Sequence, residues 1–103
     1  METHRRKQVT VICEAPVAGR VTRVLDKIPV SGYTVIPALS GAGREGHWER
    51  EGLVGDVGRM VVIISVMSEG QAAESLEAIY QTIEPQMGIV TVSNVEVLRP
   101  ERF

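Results

Sequence analysis

Two alternating runs and two helical stripes set the pattern of this chain. Residues 8–14 place Val9, Val11 and Cys13 on one side and Thr10 and Ile12 on the other, the two-residue period of a strand with both faces at least partly covered. From Pro16 the period lengthens. Val17, Val21, Val24, Leu25 and Ile28 then form one stripe of a helix that Pro29 ends. Ser31-Gly32 turns the chain into a second strand, 33–39, and the run 60–66 makes a third, apolar on both faces. Ser68 and Gln71 have the spacing of a capping box, and Ala72, Leu76, Ile79 and Ile83 continue as a second amphipathic helix up to Pro85. After Gly88, residues 89–92 read as a fourth strand and 95–98 as a short terminal strand or edge.

The order is βαββαβ with a small terminal addition, an α+β architecture of the ferredoxin-like, split-βαβ kind. Both helices then lie on one face of the sheet, and the other face has no cover from its own chain. The third strand sets Val61, Ile63 and Ser65 against Val62, Ile64 and Val66, so polar side chains are scarce on either side. An uncovered apolar sheet face predicts a closed oligomer.

Size and charge narrow the picture. With 103 residues, 44% of them hydrophobic, the expectation is one domain over 1–103. The formal net charge of -2 gives no broad electrostatic footprint for nucleic acid. Arg5-Arg6-Lys7 reads as a solvated basic start. Cys13, the single cysteine, reads as a small buried hydrophobe. No apolar run approaches the roughly 18 residues of a membrane span, and the polar start resembles no signal peptide, so a cytoplasmic protein is expected.

Candidate chemistry concentrates between residues 41 and 58, where six of the ten glycines fall without a proline. The opening Gly41-Ala42-Gly43-Arg44-Glu45-Gly46 matches the G-x-G-x-x-G dinucleotide fingerprint literally. That fingerprint needs a following helix, and Gly52, Gly55 and Gly58 interrupt any helix here. A long ligand loop is the better reading, with 41–43 offering backbone amides as an anion nest beside a guanidinium. The competing reading is a flexible connection.

Beyond these local features, the chain resembles the PII signal-transduction superfamily. Ser31-Gly32-Tyr33-Thr34-Val35 is similar to the turn and second strand that meet the adenine in that family. Gly41-Ala42-Gly43-Arg44-Glu45-Gly46-His47 is similar to the start of its T-loop, and Arg99 and Arg102 stand in a terminal segment like the one whose arginines reach phosphates on a neighbouring subunit. The resemblance implies a trimer binding adenine nucleotide between subunits, through Gly32, Tyr33, Thr34, Gly41, Ala42, Gly43, Arg44, Gly88, Arg99 and Arg102. It implies no enzymatic activity and no cofactor.

Two departures bear on the ligand. The family's nitrogen-regulatory members carry a glycine-rich B-loop with a lysine before the last strand, whereas this chain reads Thr82-Ile83-Glu84-Pro85-Gln86-Met87-Gly88. An acidic Glu84 in place of a cation favours AMP or ADP over ATP. No Ser, Thr or Tyr lies between Gly41 and Val62, so that loop has no hydroxyl for covalent modification. These features are most like carboxysome-associated PII-like proteins, which bind AMP or ADP and bicarbonate. A small carboxylate-like anion would sit near Gly41 and Gly43 with Arg44 or Arg59.

Several side chains keep two readings. Tyr33 packs on adenine or covers core; Arg99 and Arg102 hold phosphate or belong to a solvated tail. His47 and Trp48 are candidates for a protein partner, a transporter or carboxysome-related component, while His47 lacks companions at metal-ligand spacing. The leading function is a sensor that reports to a partner by ordering its loop, with inorganic-carbon metabolism as the setting the resemblance suggests. The alternatives are nitrogen-regulatory PII-type signalling and a CutA-like metal-tolerance protein.

Overall fold

The structure, a computed structural model, describes residues 1–43, 46–49, 59–84 and 88–103, without the side chains of Trp48 and Arg102. Its elements run β1 (His4–Glu14), α1 (Ala15–Lys27), β2 (Thr34–Pro37), β3 (Ser40–Gly43), β4 (Gly46–Glu49), β5 (Met60–Met67), α2 (Glu69–Thr82) and β6 (Gly88–Val97), with a 3-10 turn at Pro100–Arg102. The main sheet has the order β2-β5-β1-β6, and every neighbouring pair is antiparallel. With the β3–β4 hairpin set aside, this is the ferredoxin-like order expected from the βαββαβ pattern.

Side-chain parity builds the core. The register Val9↔Ser65, Val11↔Ile63 and Cys13↔Val61 puts these six residues on the face beneath the helices, where all are buried. Helix α1 contributes Ala18, Val21 and Leu25, and α2 contributes Ala72, Ser75 and Ile79. Ser75 is fully buried, and its hydroxyl donates to Met67 Sδ at 3.4 Å, which gives a polar atom inside the core a partner.

Local signals explain the helix ends. Glu14 makes no side-chain cap for α1; instead Ala15 N–H donates to Arg59 C=O at 2.8 Å, so the start of the helix is satisfied by the chain entering β5. Helix α2 has its capping box, with Gln71 N–H to Ser68 Oγ and Ser68 N–H to Gln71 Oε1, both 3.2 Å. Gln71 Nε2 also donates to Pro29 C=O at 2.6 Å and ties the start of α2 to the end of α1.

Three expectations change. Strand β1 begins at His4, because Arg5, Arg6 and Lys7 pair with Glu96, Val95 and Asn94; the three residues belong to the ladder and not to a loose terminus, with the Arg5 side chain still exposed. For the same reason 89–92 and 95–98 are one continuous β6, held straight through Ser93-Asn94 by its pairing with β1. The glycine-rich stretch opens as a hairpin, with Gly41↔Trp48 and Gly43↔Gly46 in register. Gly46 has φ 102°, a conformation that strains any residue with a Cβ.

Leu25→Ala should lower unfolding free energy by about 2–5 kcal/mol and Ser68→Ala by about 1 kcal/mol, measured by urea denaturation. Burial, with a smaller contribution from Glu14, raises the pKa of the Cys13 thiol. The thiol therefore stays protonated at neutral pH, and iodoacetamide should label it only once the protein is unfolded.

Candidate functional site

The turn at 31–34 is fixed from below. Ser65, 2% exposed, donates its hydroxyl to Gly32 C=O at 2.6 Å, so a buried polar group on β5 finds its acceptor in the turn. Tyr33 packs its ring against the core, and its hydroxyl donates to Asp26 Oδ1 at 2.8 Å. That hydrogen bond is the main reason the phenol's pKa lies above its usual value. Thr34 then enters β2 opposite Ile64.

Ser31, Gly32, Tyr33 and Thr34 line an open groove of about 440 Å³, floored by Ile64 and Val66 and flanked by Phe103. Ile64 and Val66 occupy the uncovered face of β5, the parity opposite to Ile63 and Ser65. The groove thus combines aliphatic surface with one polar backbone edge, a composition suited to a planar heterocycle. Sequence reasoning found the turn but not the floor or Phe103. The alternation of Ile64 and Val66 away from the helices was the available signal for the floor.

The anion candidates lie elsewhere. β2 and β5 run antiparallel, with Thr34↔Ile64 at one end of their ladder and Pro37↔Val61 at the other. Arg59 sits just before β5, five residues from Ile64, or about 17 Å of extended chain. Gly41, Ala42 and Gly43 follow Pro37 in the β3 hairpin, so they too leave from that end. Their backbone is extended strand in place of the concave nest anticipated from sequence, because it pairs with β4. Arg59 Nε is buried without a hydrogen-bond partner among the described residues. Within one chain, then, the 31–34 groove and the anion candidates occupy opposite ends of the β2–β5 ladder.

The remaining candidates divide. Gly88 opens β6 opposite Cys13, where a Cβ would lie 3.0 Å from Ile12 O and 3.1 Å from Cys13 Cβ, a tight fit that its neighbours would have to relieve by a few tenths of an ångström. Arg99 is exposed at the start of the 3-10 turn. Arg102 closes that turn, but its side chain lies outside the described residues. His47 is exposed on β4. Arg44, the side chain of Trp48, residues 50–58 and the Pro85-Gln86-Met87 turn also lie outside the described residues.

A family model described as nitrogen regulatory protein P-II matches residues 6–102. The chain belongs to the P-II family. Among solved structures, this P-II protein is similar to CPII, a nitrogen regulatory PII-like protein from Thiomonas intermedia K12. One CPII structure, bound to ADP, AMP and bicarbonate, has a TM-score of 0.86 at 28% identity, covering 99% of this chain and 96% of that one. Another, bound to ADP and bicarbonate, gives 0.83 at 30% identity, covering 99% and 97%. A PII-like signaling protein from Thermus thermophilus gives 0.79 at 27% identity, covering 100% and 99%. No curated protein matches the sequence significantly. The likeness places this P-II protein in the PII-like branch, as the departures at 82–88 and between Gly41 and Val62 implied.

Among the described residues, no helix is long and apolar enough to cross a membrane, and no group of three His, Cys, Asp or Glu side chains is placed to hold a metal ion. Ser65→Ala should leave the Gly32 carbonyl without its buried donor and cost about 1–3 kcal/mol in urea unfolding. Ser65→Thr, which keeps the hydroxyl, should cost less.

Proposed function

We propose that this chain is a non-enzymatic sensor of adenine nucleotide that works as a homotrimer, with the base held at the 31–34 groove of one subunit. The observation that carries this reading is the groove itself, built on the same turn that resembles the family's adenine contact, in a fold that overlays CPII along nearly its whole length.

Trimerisation answers the separation of the two candidate regions. An accompanying anion needs groups such as Arg59, which the same chain places about 17 Å of extended strand from Ile64 in the groove. A neighbouring subunit packed on the uncovered sheet face brings Gly41, Ala42, Gly43, Arg44 and Arg59 of one chain toward the groove of the next. That face offers Ile12, Val62 and Ile64, all partly exposed, with Ile36 at 42% and Ile89 at 61% exposure toward the edges. Arg99 and Arg102 contribute forked donors for the phosphates.

AMP or ADP is the favoured ligand, since Glu84 stands where a triphosphate would need a cation, and bicarbonate is the companion anion that Arg59 and Arg44 would hold. CPII has been solved with ADP, AMP and bicarbonate, which supports the same pairing here. Ligand binding would select one arrangement of the segment from Gly41 to Gly58, and His47 and Trp48 would meet a protein partner in inorganic-carbon metabolism.

Calorimetric titration should give tighter binding of AMP and ADP than of ATP, with bicarbonate changing the nucleotide affinity. Arg99→Ala should weaken ADP binding about tenfold, the loss of a charge-assisted contact of roughly 1.4 kcal/mol. Light scattering on the purified protein should give three chains per particle. Strongest binding by ATP with no effect of bicarbonate would overturn the ligand assignment, and a monomer would overturn the shared site.

A further inference from the structure

Arg6 was expected in a solvated start, yet its guanidinium reaches three main-chain oxygens. It lies on β1 with the parity of the uncovered face, since its neighbours Arg5 and Lys7 share the register of Val9. From there Arg6 Nε donates to Phe103 O at 3.0 Å and Nη2 donates to Pro100 O at 3.2 Å, while Nη1 reaches Arg5 O at 2.7 Å. Phe103 N–H in turn donates to Pro100 O at 3.1 Å. One guanidinium therefore gathers both ends of the 3-10 turn that follows β6, and its fixed fork of donors suits a grip on two main-chain oxygens.

That grip has a consequence at the groove. Phe103 is 39% exposed, and it forms one side of the space between the 31–34 turn and the Ile64 and Val66 floor. The other sides of that space belong to β5 and Thr34, which are in the sheet, and to the 31–33 turn, which Ser65 holds through Gly32 C=O. Phe103 comes from the segment that follows β6, and Arg6 holds that segment in place.

Resting on the nucleotide reading above, we propose that Phe103 is the aromatic wall against which the adenine ring lies, and that Arg6 is the positioning residue that holds this wall over the groove. Aromatic rings are effective and tolerant partners for a base because stacking needs only a π-face. The aliphatic floor covers the other apolar surface, and the backbone edge at Ser31 and Gly32 is left to meet the polar rim of the ring. Arg6 acts through Phe103 and touches no ligand itself.

The test is calorimetric titration of the full chain with ADP, for wild type, Phe103→Ala, Phe103→Tyr, Arg6→Leu, Arg6→Lys and the double variant Arg6→Leu/Phe103→Ala, with a thermal melt for each. Phe103→Ala and Arg6→Leu should each weaken ADP about tenfold while the melt stays cooperative. Phe103→Tyr should bind like wild type. Arg6→Lys, with one point donor in place of a fork, should fall between. The double variant should be no weaker than about tenfold, because both changes remove the same contact. If wild type binds ADP and both single variants bind within about twofold of it, the wall assignment is overturned; if the two losses multiply to about a hundredfold, Arg6 does not act through Phe103. Should Arg6→Leu fail to melt cooperatively, Arg6→Lys and Phe103→Ala decide the matter alone. Wild type that does not bind ADP would instead bring down the nucleotide reading itself.

Discussion

Alternation along β1 and β5 is the constraint on which the rest of this protein rests. These two strands form the centre of the sheet, and their pairing locks Val9, Val11 and Cys13 beside Ser65, Ile63 and Val61 under the helices. A slip of one residue would turn the whole apolar set to the wrong face. Once that register holds, Ser65 must point at the underside of the 31–34 turn, and Ile64 and Val66 must line the groove on the opposite face. The buried hydroxyl and the exposed aliphatic floor are thus two results of one period.

The same constraint accounts for the separation of the 31–34 groove from Arg59 and the glycine hairpin within a single chain. An antiparallel β2–β5 ladder carries the turn at one end and delivers the chain to the glycine-rich hairpin at the other. Helices shield only one side of the sheet, so Ile12, Val62 and Ile64 remain accessible on the other. A fold with an open apolar face and a divided set of polar groups is suited to completing its site from a neighbouring copy, which is the reading proposed for this P-II protein. The tether from Arg6 to the segment after β6 adds a part that belongs to neither ladder end yet borders the groove.

Legibility in the sequence followed the physics of each signal. Strong periods were read correctly: the Val21 and Leu25 stripe, the Ser68–Gln71 capping box and the alternation of β5 all reappear. Boundaries fared worse where polar residues form strand, as at Arg5-Arg6-Lys7 and Ser93-Asn94, because their pairing partners lie about ninety residues away along the chain and leave no local trace. The hairpin at Gly41 was hidden for a similar reason, since glycine predicts freedom and only pairing with β4 selects the extended form.

The amino-acid order alone determined the βαββαβ succession and the buried faces of both helices, because each depends on a regular period; the 31–34 turn stood out only by its resemblance to a family segment. Tertiary structure alone decided that Ser65 holds Gly32, that Ser75 and Met67 meet inside the core, and that Arg6 grips the backbone at Pro100 and Phe103. Those contacts join residues from different elements, and a directional hydrogen bond exists only once folding has fixed both partners in space.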